Sequence, residues 1–297
     1  MLYISTIMHH KEHIAEYSVW RTVFKALKHK KIRQAGLRCL GRALRDFFGL
    51  QYWAVLHRGK IPVCQVDHPL DQEIPFVPEK VTIYLDFVFF WIRAVGFLFD
   101  RYGPSTEEEI AAFVDSMGRL YSFAAEVYRH NLSTTQRPRY LKHPRFILIH
   151  FLDPHLMCIP SLHVMVVVHA WKQFEAFLNR HEEQELFTSH VQELHQGARA
   201  ISASILFVKQ HSINCVPAAL YALTCYDESL WSAEEAHDFI EELLTEEPGI
   251  SPEAKEKIQH FMKKQYDSFL QEKSNSQATP FWGKPLLDFL QSQPRVR

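Results

Sequence analysis

Three short stretches of this sequence carry residue types that could handle a phosphate ester. The middle one is Cys158-Ile159-Pro160-Ser161-Leu162-His163, set in the apolar run 146–171. Proline has no backbone N–H to leave unpaired, so Pro160 suits the first turn of a helix. Ser161 and His163 then fall in that turn, where free N–H groups and the positive end of the helix dipole favour an anion. Taken alone, this tetrapeptide reads first as a helix start with a packed core histidine. Two flanking stretches change that reading. Upstream, Arg137-Pro138 offers a guanidinium fork that matches a phosphate, with His130 seven residues before it. Downstream, Lys209-Gln210-His211 adds a point charge and a second imidazole. Two imidazoles are a usual pair for attack and leaving-group protonation near neutral pH.

The elements that must position these residues are helices. The chain has 297 residues, 47% of them hydrophobic, and only 10 glycines. Apolar residues recur at helical spacing over 11–29, in a second helix reaching Phe47, over 80–102, and over 105–128. Further helices are expected over 160–179, 186–209, 217–226, 233–245 and 252–273, with a short one at 286–291. Ser105 with Glu108, and Ser232 with Glu235, have the spacing of capping boxes. Residues 49–80, rich in proline, and the polar stretch 129–138 read as irregular. The fold class is all-α. The chain divides into 1–69, basic amphipathic helices and a proline-rich connector; 70–228, the bundle carrying the three stretches; and 229–297, C-terminal helices and a polar tail.

Composition narrows the function classes. Net charge is −1, so no global field points to nucleic acid. Five cysteines without a CxxC pair argue against a disulfide framework and for a reducing compartment. His9, His10 and His13 lack accompanying carboxylates, so no metal site is expected. Met1–Met8 lacks a basic region and makes a poor signal peptide. The most apolar stretch, 81–99, is broken by Asp86 and Arg93, which share a helical face. A cytoplasmic protein, soluble or peripheral to a membrane, is expected, with an integral membrane protein as the alternative. Between Arg21 and Arg45 stand nine basic residues and no acidic one, a segment that could lie on an anionic membrane surface.

Together the three stretches resemble the motifs of the type 2 phosphatidic acid phosphatase and vanadium haloperoxidase superfamily. Its Lys-x6-Arg-Pro motif is matched by His130 to Arg137-Pro138, with histidine for lysine. Its Pro-Ser-Gly-His motif is matched by Pro160-Ser161-Leu162-His163, with leucine for glycine. Its Ser-Arg-x5-His-x3-Asp motif is matched by Ser204-Ile205 through His211 to Cys215, with isoleucine for arginine and cysteine for aspartate. The leucine form and the Lys209-Gln210-His211-Ser212 wording look most like the inositol-phosphorylceramide-synthase branch. The resemblance covers about 70–228.

It implies a helical bundle in which the motifs converge on one phosphate. His211 would form a phosphohistidine and His163 would protonate the leaving group. Arg137, Ser161, Lys209 and His130 would hold the phosphate oxygens. The implied function is a phosphatase, a phosphoric-ester hydrolase acting on a phosphorylated small molecule or lipid phosphate. A phosphotransferase of the sphingolipid-synthase type and a catalytically weak, phosphate-binding descendant are the alternatives. No cofactor is implied, and vanadate would act as a phosphate mimic. The main departure is Cys215, because a neutral thiol cannot stabilise an imidazolium as a carboxylate does. Asp86, Glu126 and Asp227 are the candidate replacements.

Overall fold

The computed structural model describes residues 11–275 and 281–296. Met1–Met8, His9 and His10 lie outside the described residues, while His13 stands 3.5 Å from the Glu193 carboxylate. Helices α1 (Val19–Lys28) and α2 (Lys30–Arg42) run into a π-helical segment, Ala43–Gly49, and then α3 (Leu50–Leu56). Strand β1 (Val63–Gln65) leads to α4 (Val81–Tyr84) and α5 (Phe87–Tyr102). Helix α6 (Glu107–Tyr128), strand β2 (Leu132–Thr134) and α7 (Pro144–Leu152) follow. The second half holds α8 (Leu162–Arg180), α9 (Thr188–Phe207), α10 (Cys215–Tyr226), α11 (Ala233–Glu242), α12 (Pro252–Asn275) and α13 (Lys284–Ser292). The chain is predominantly helical, as its apolar spacing implied.

Helix α8 is the axis of the packing. Valines 164, 166, 167 and 168 point in different directions around little more than one turn, and all are completely buried. Helices α5, α6, α9 and α10 surround it. Phe97 of α5 shows how the layers lock. Its ring meets those of Tyr17, Phe174 and Phe187 edge-on at 5.9, 5.3 and 5.0 Å, a favoured aromatic geometry. The stretch 78–128 is long and apolar enough to cross a membrane by length and composition. Phe97, Leu98 and Phe99 within it are nonetheless buried in the bundle. Asp86 and Arg93, the charges that interrupt it, pair with each other.

Three local expectations differ from what is observed. The stretches read as irregular contain a short parallel pair, with Val63 opposite Leu132 and Gln65 opposite Thr134. Cys64, Leu132 and Ser133 are fully buried, and buried backbone groups must pair somewhere. Helix α7 was hidden in the same way. It starts at Pro144 behind His143, whose ring nitrogen accepts from the Arg145 N–H at 3.2 Å. The expected Ser105–Glu108 capping box is absent, because 103–106 form a 3-10 turn and Ser105 bonds back to the Tyr102 carbonyl. The Ser232–Glu235 box is present. The three sequence segments also interlock. Residue Cys64 of the first bridges to Arg295 of the last, while β1 pairs with β2 of the middle.

Helix α2 lies directly along α6. Gly118 allows that approach, since a Cβ there would stand 2.7 Å from the Cys39 Cα. The neighbour is backbone and cannot swing aside. Gly118→Ala should therefore destabilise the protein by about 1–3 kcal/mol, although alanine is the better helix former. Urea unfolding checks this, and a stability gain would mean that α2 shifts freely on α6.

Candidate active site

The start of α8 is held in place by β2. The Ser133 hydroxyl accepts the N–H groups of Cys158 and Ile159 at 3.1 and 2.8 Å, and Ser133 forms a parallel bridge with Met157. Residues 156–158 thus run along β2 as a short third strand. The Tyr128 hydroxyl donates to the Pro160 carbonyl at the end of this strand. Pro160 does not occupy the first helical turn, as its helix-starting character suggested. It follows a cis peptide bond, and Ser161 is the N-cap. Ser161 is fully buried, its side chain does not cap the helix, and its Oγ has no hydrogen-bond partner. The hydroxyl therefore sits beside a helix N-terminus with no hydrogen bond to the protein.

His163 enters on the first turn of α8. Its ring stacks on Tyr84 at 4.3 Å and lies 4.2 Å from Phe87, so α4 and α5 set its plane. His211 arrives from the turn after α9. Lys209 adopts φ +53°, and the N–H groups of Gln210 and His211 both bond to the Ile205 carbonyl. This turn brings the His211 ring to 5.5 Å from that of His163. The Nδ1 of His211 is buried and unpartnered. Arg137 lies beside this turn, with its Nη1 donating to Gln210 Oε1 at 3.2 Å and its Nη2 to the Asp153 carbonyl at 3.0 Å. Arg137, Arg139 and His150 also line an adjoining surface pocket of about 360 Å³.

Lys209 and His130 are placed elsewhere. The Lys209 ammonium is taken by the carbonyls of Asp71 and Ile74, at 2.5 Å each. The Asp71 carboxylate accepts the Ile213 N–H at 2.8 Å. The pair clamps the His211 turn to the 70–74 segment, and the ammonium is spent on that clamp. His130 is exposed, with the Phe281 ring 6.0 Å away. The candidate replacement carboxylates are also engaged elsewhere: Asp86 by Arg93, Glu126 by the Trp282 indole, and Asp227 by Ser229.

One further histidine joins the pair. His155 is buried, its ring lies 6.5 Å from that of His211, and its Nε2 stands 2.8 Å from Thr135 Oγ1. Its φ of +61° is held by a backbone bond to Asp153 Oδ1 at 2.9 Å. Such a conformation in a non-glycine residue is uncommon. Asp153-Pro154-His155 is a turn-forming tripeptide close before the motif, and that was the available signal.

Burial controls the charge state of these groups. It pushes His211 down to about 4, against an opposing hydrogen bond toward the Cys158 backbone. His163 is held well below its ordinary value by burial first, then by His211 and His155. His155 is lowered by burial, then by Arg137 and the neighbouring imidazoles. The Cys158 and Cys215 thiols are pushed up by burial and stay protonated. At neutral pH the three imidazoles are therefore neutral, and the Arg137 guanidinium stands near the Asp153 carboxyl, which burial pushes up and Arg137 pulls down.

The depressed value of His211 links stability to pH. Unfolding frees the ring to bind a proton at its ordinary value near 6.5, so protons favour the unfolded chain as pH falls from about 6.5 toward 4. Between pH 7 and 4 the wild type should lose about 3 kcal/mol more than His211→Gln. Urea unfolding of both chains at several pH values checks this, and parallel pH dependences would contradict it.

Neither a family model, a curated protein nor a solved structure matches this chain, so its functional reading rests on this geometry and on the motif resemblance.

Proposed function

We propose that the chain acts on a phosphate ester through His211 and His163, within a bundle of the type 2 phosphatidic acid phosphatase and haloperoxidase kind. One observation carries the reading. The His163 and His211 rings come from separate parts of the sequence and stand 5.5 Å apart at the buried start of α8, Arg137 bonds to Gln210 beside His211, and Ser161 Oγ and His211 Nδ1 have no protein partner. A tetrahedral oxyanion suits this set of donors. It would take the Ser161 hydroxyl, the first N–H groups of α8 and the guanidinium of Arg137, each strongest where charge builds in the transition state.

In the step proposed, a His211 nitrogen attacks phosphorus while the bond to the alkoxy oxygen breaks. His163 gives that oxygen its proton, and a phosphohistidine remains. Water, losing a proton to His163, then releases phosphate. The neutral state of both rings makes one demand on this scheme: the proton must arrive with the substrate. A phosphate monoester loses its second proton near pH ~6, so the monoanion carries the required proton. Its negative charge beside His163 would favour the imidazolium.

A specific observation supports a second reading, a phosphate-binding protein with little turnover. Cys215 is a buried, protonated thiol, and no carboxylate holds His211 among the described residues. Losing such an orienting carboxylate costs a comparable triad roughly ten thousandfold.

Phosphate release from a panel of soluble and lipid phosphates separates the readings. Under the first, His211→Ala and His163→Ala should each lower kcat/KM by about a hundredfold or more. The wild-type kcat/KM should fall above pH ~6 as the monoanion disappears. Under the second, wild type binds vanadate without turnover, and Cys215→Asp raises phosphate release. Unchanged release in both histidine variants sinks the first reading, and absence of vanadate binding sinks both.

A further inference from the structure

Helices α1, α2 and α3 carry an apolar face that the bundle leaves uncovered. Trp20 is 69% exposed, Phe24 64% and Leu37 62%, while Leu56 of α3 and Phe151 of α7 are each 80% exposed. Single exposed apolar residues are ordinary, but a contiguous set marks an interaction surface. These helices adjoin, since α1 packs on α2 and the Tyr52 hydroxyl of α3 donates to the Leu152 carbonyl of α7 at 2.8 Å. Much of the basic charge on the same segment is meanwhile neutralised by the body of the protein. Lys25 pairs with Asp100 and Lys31 with Glu108, while Arg38 and Arg42 share Asp115. Arg21, Lys28, Lys30 and Arg33 are exposed and pair with no carboxylate among the described residues. The face is thus apolar with a cationic fringe.

This face opens into the molecule. A groove of about 520 Å³ runs between α1, α2 and α5, within the size range of small-molecule sites. Leu27, Leu37 and Leu40 of its lining are exposed, whereas Leu162 is buried and His163 half-buried. Its wall is almost entirely apolar and meets the site at the His163 ring. A partner helix, about 10–12 Å across, would cover the rim but not fill a cleft that ends on an imidazole. A flexible alkyl chain would do both, and its lipid neighbours would cover the face outside. The cationic fringe matches anionic headgroups.

We propose that α1–α3 and α7 form a docking face for an anionic lipid monolayer, and that the groove takes one alkyl chain of a lipid seated there. Delivery of that lipid's phosphate to Ser161 and His211 rests on the phosphoryl chemistry proposed above, whereas the docking itself does not. This specifies the expectation from the sequence, in which the basic amphipathic segment 21–45 could lie on an anionic membrane surface. Here the apolar residues make it and the unpaired cations border it.

Flotation of the full chain with vesicles of phosphatidylcholine, alone or mixed with phosphatidylserine, tests the face. Binding to both is expected, and tighter binding to the mixture. The exposed double substitution W20S/F24S should lower the bound fraction at least tenfold while leaving the circular dichroism unchanged. Gly36 lines the groove, and a side chain there meets open space, so Gly36→Leu should weaken binding of dansyl-undecanoic acid at least tenfold. No flotation, or flotation indifferent to W20S/F24S, overturns the docking face. Light scattering that finds a dimer abolished by W20S/F24S, without flotation, assigns the face to a second copy instead. Equal dansyl-undecanoate affinity in wild type and Gly36→Leu, or no binding to wild type, overturns the groove assignment. Phenyl phosphate separates the two proposals. Its hydrolysis without flotation defeats docking alone, and flotation with neither hydrolysis nor vanadate binding defeats the phosphoryl chemistry alone.

Discussion

The paired acceptance of two backbone N–H groups by the Ser133 hydroxyl is the contact on which the candidate site depends. It ties the segment before α8 to β2, which is itself tied to β1. The consequence is geometric. Ser161 and His163 sit at the first residues of a helix whose direction is set by its burial among α5, α6, α9 and α10. Any slip of the 156–160 segment would therefore move the hydroxyl and the imidazole together. Buried hydrogen bonds of this kind favour one arrangement of the polypeptide.

Desolvation then shapes the chemistry. Three imidazoles share a small volume, and each would pay heavily to become charged without a counterion. The Arg137 guanidinium further disfavours protonation of His155. The same logic explains Lys209. A cation free beside the imidazoles would disfavour their protonation further, and the Lys209 ammonium instead holds two carbonyls of the 71–74 segment. It acts on His211 by fixing the turn that carries it.

The N-terminal helices solve a different problem. They pack on α5 and α6 largely through ion pairs and small residues, with Gly118 permitting close approach. That leaves their large apolar side chains pointing to the outside and lining the groove. For a body surrounded only by water this is an unfavourable distribution, worth roughly 1.5–3 kcal/mol for each large side chain left uncovered. An apolar environment along this face removes the conflict.

Much of the helical skeleton was legible in the sequence, because apolar spacing over 80–128, 160–209 and 252–273 has no other use. The Ser232 cap was legible too, since a capping box is local. The pair β1–β2, helix α7 and the cis peptide before Pro160 were not. They depend on which backbone groups become buried, and that is settled between segments far apart in the chain. For the site, the sequence by itself determined which residues could do phosphate chemistry, because side-chain type and spacing carry that information. Only the tertiary structure decided that His163 and His211 face each other with Arg137 nearby, that Lys209 is spent on two carbonyls, that His130 lies at the surface and that His155 joins the pair. The reason is that a side chain's partners are chosen by packing and desolvation across the fold, which no local run of residues encodes.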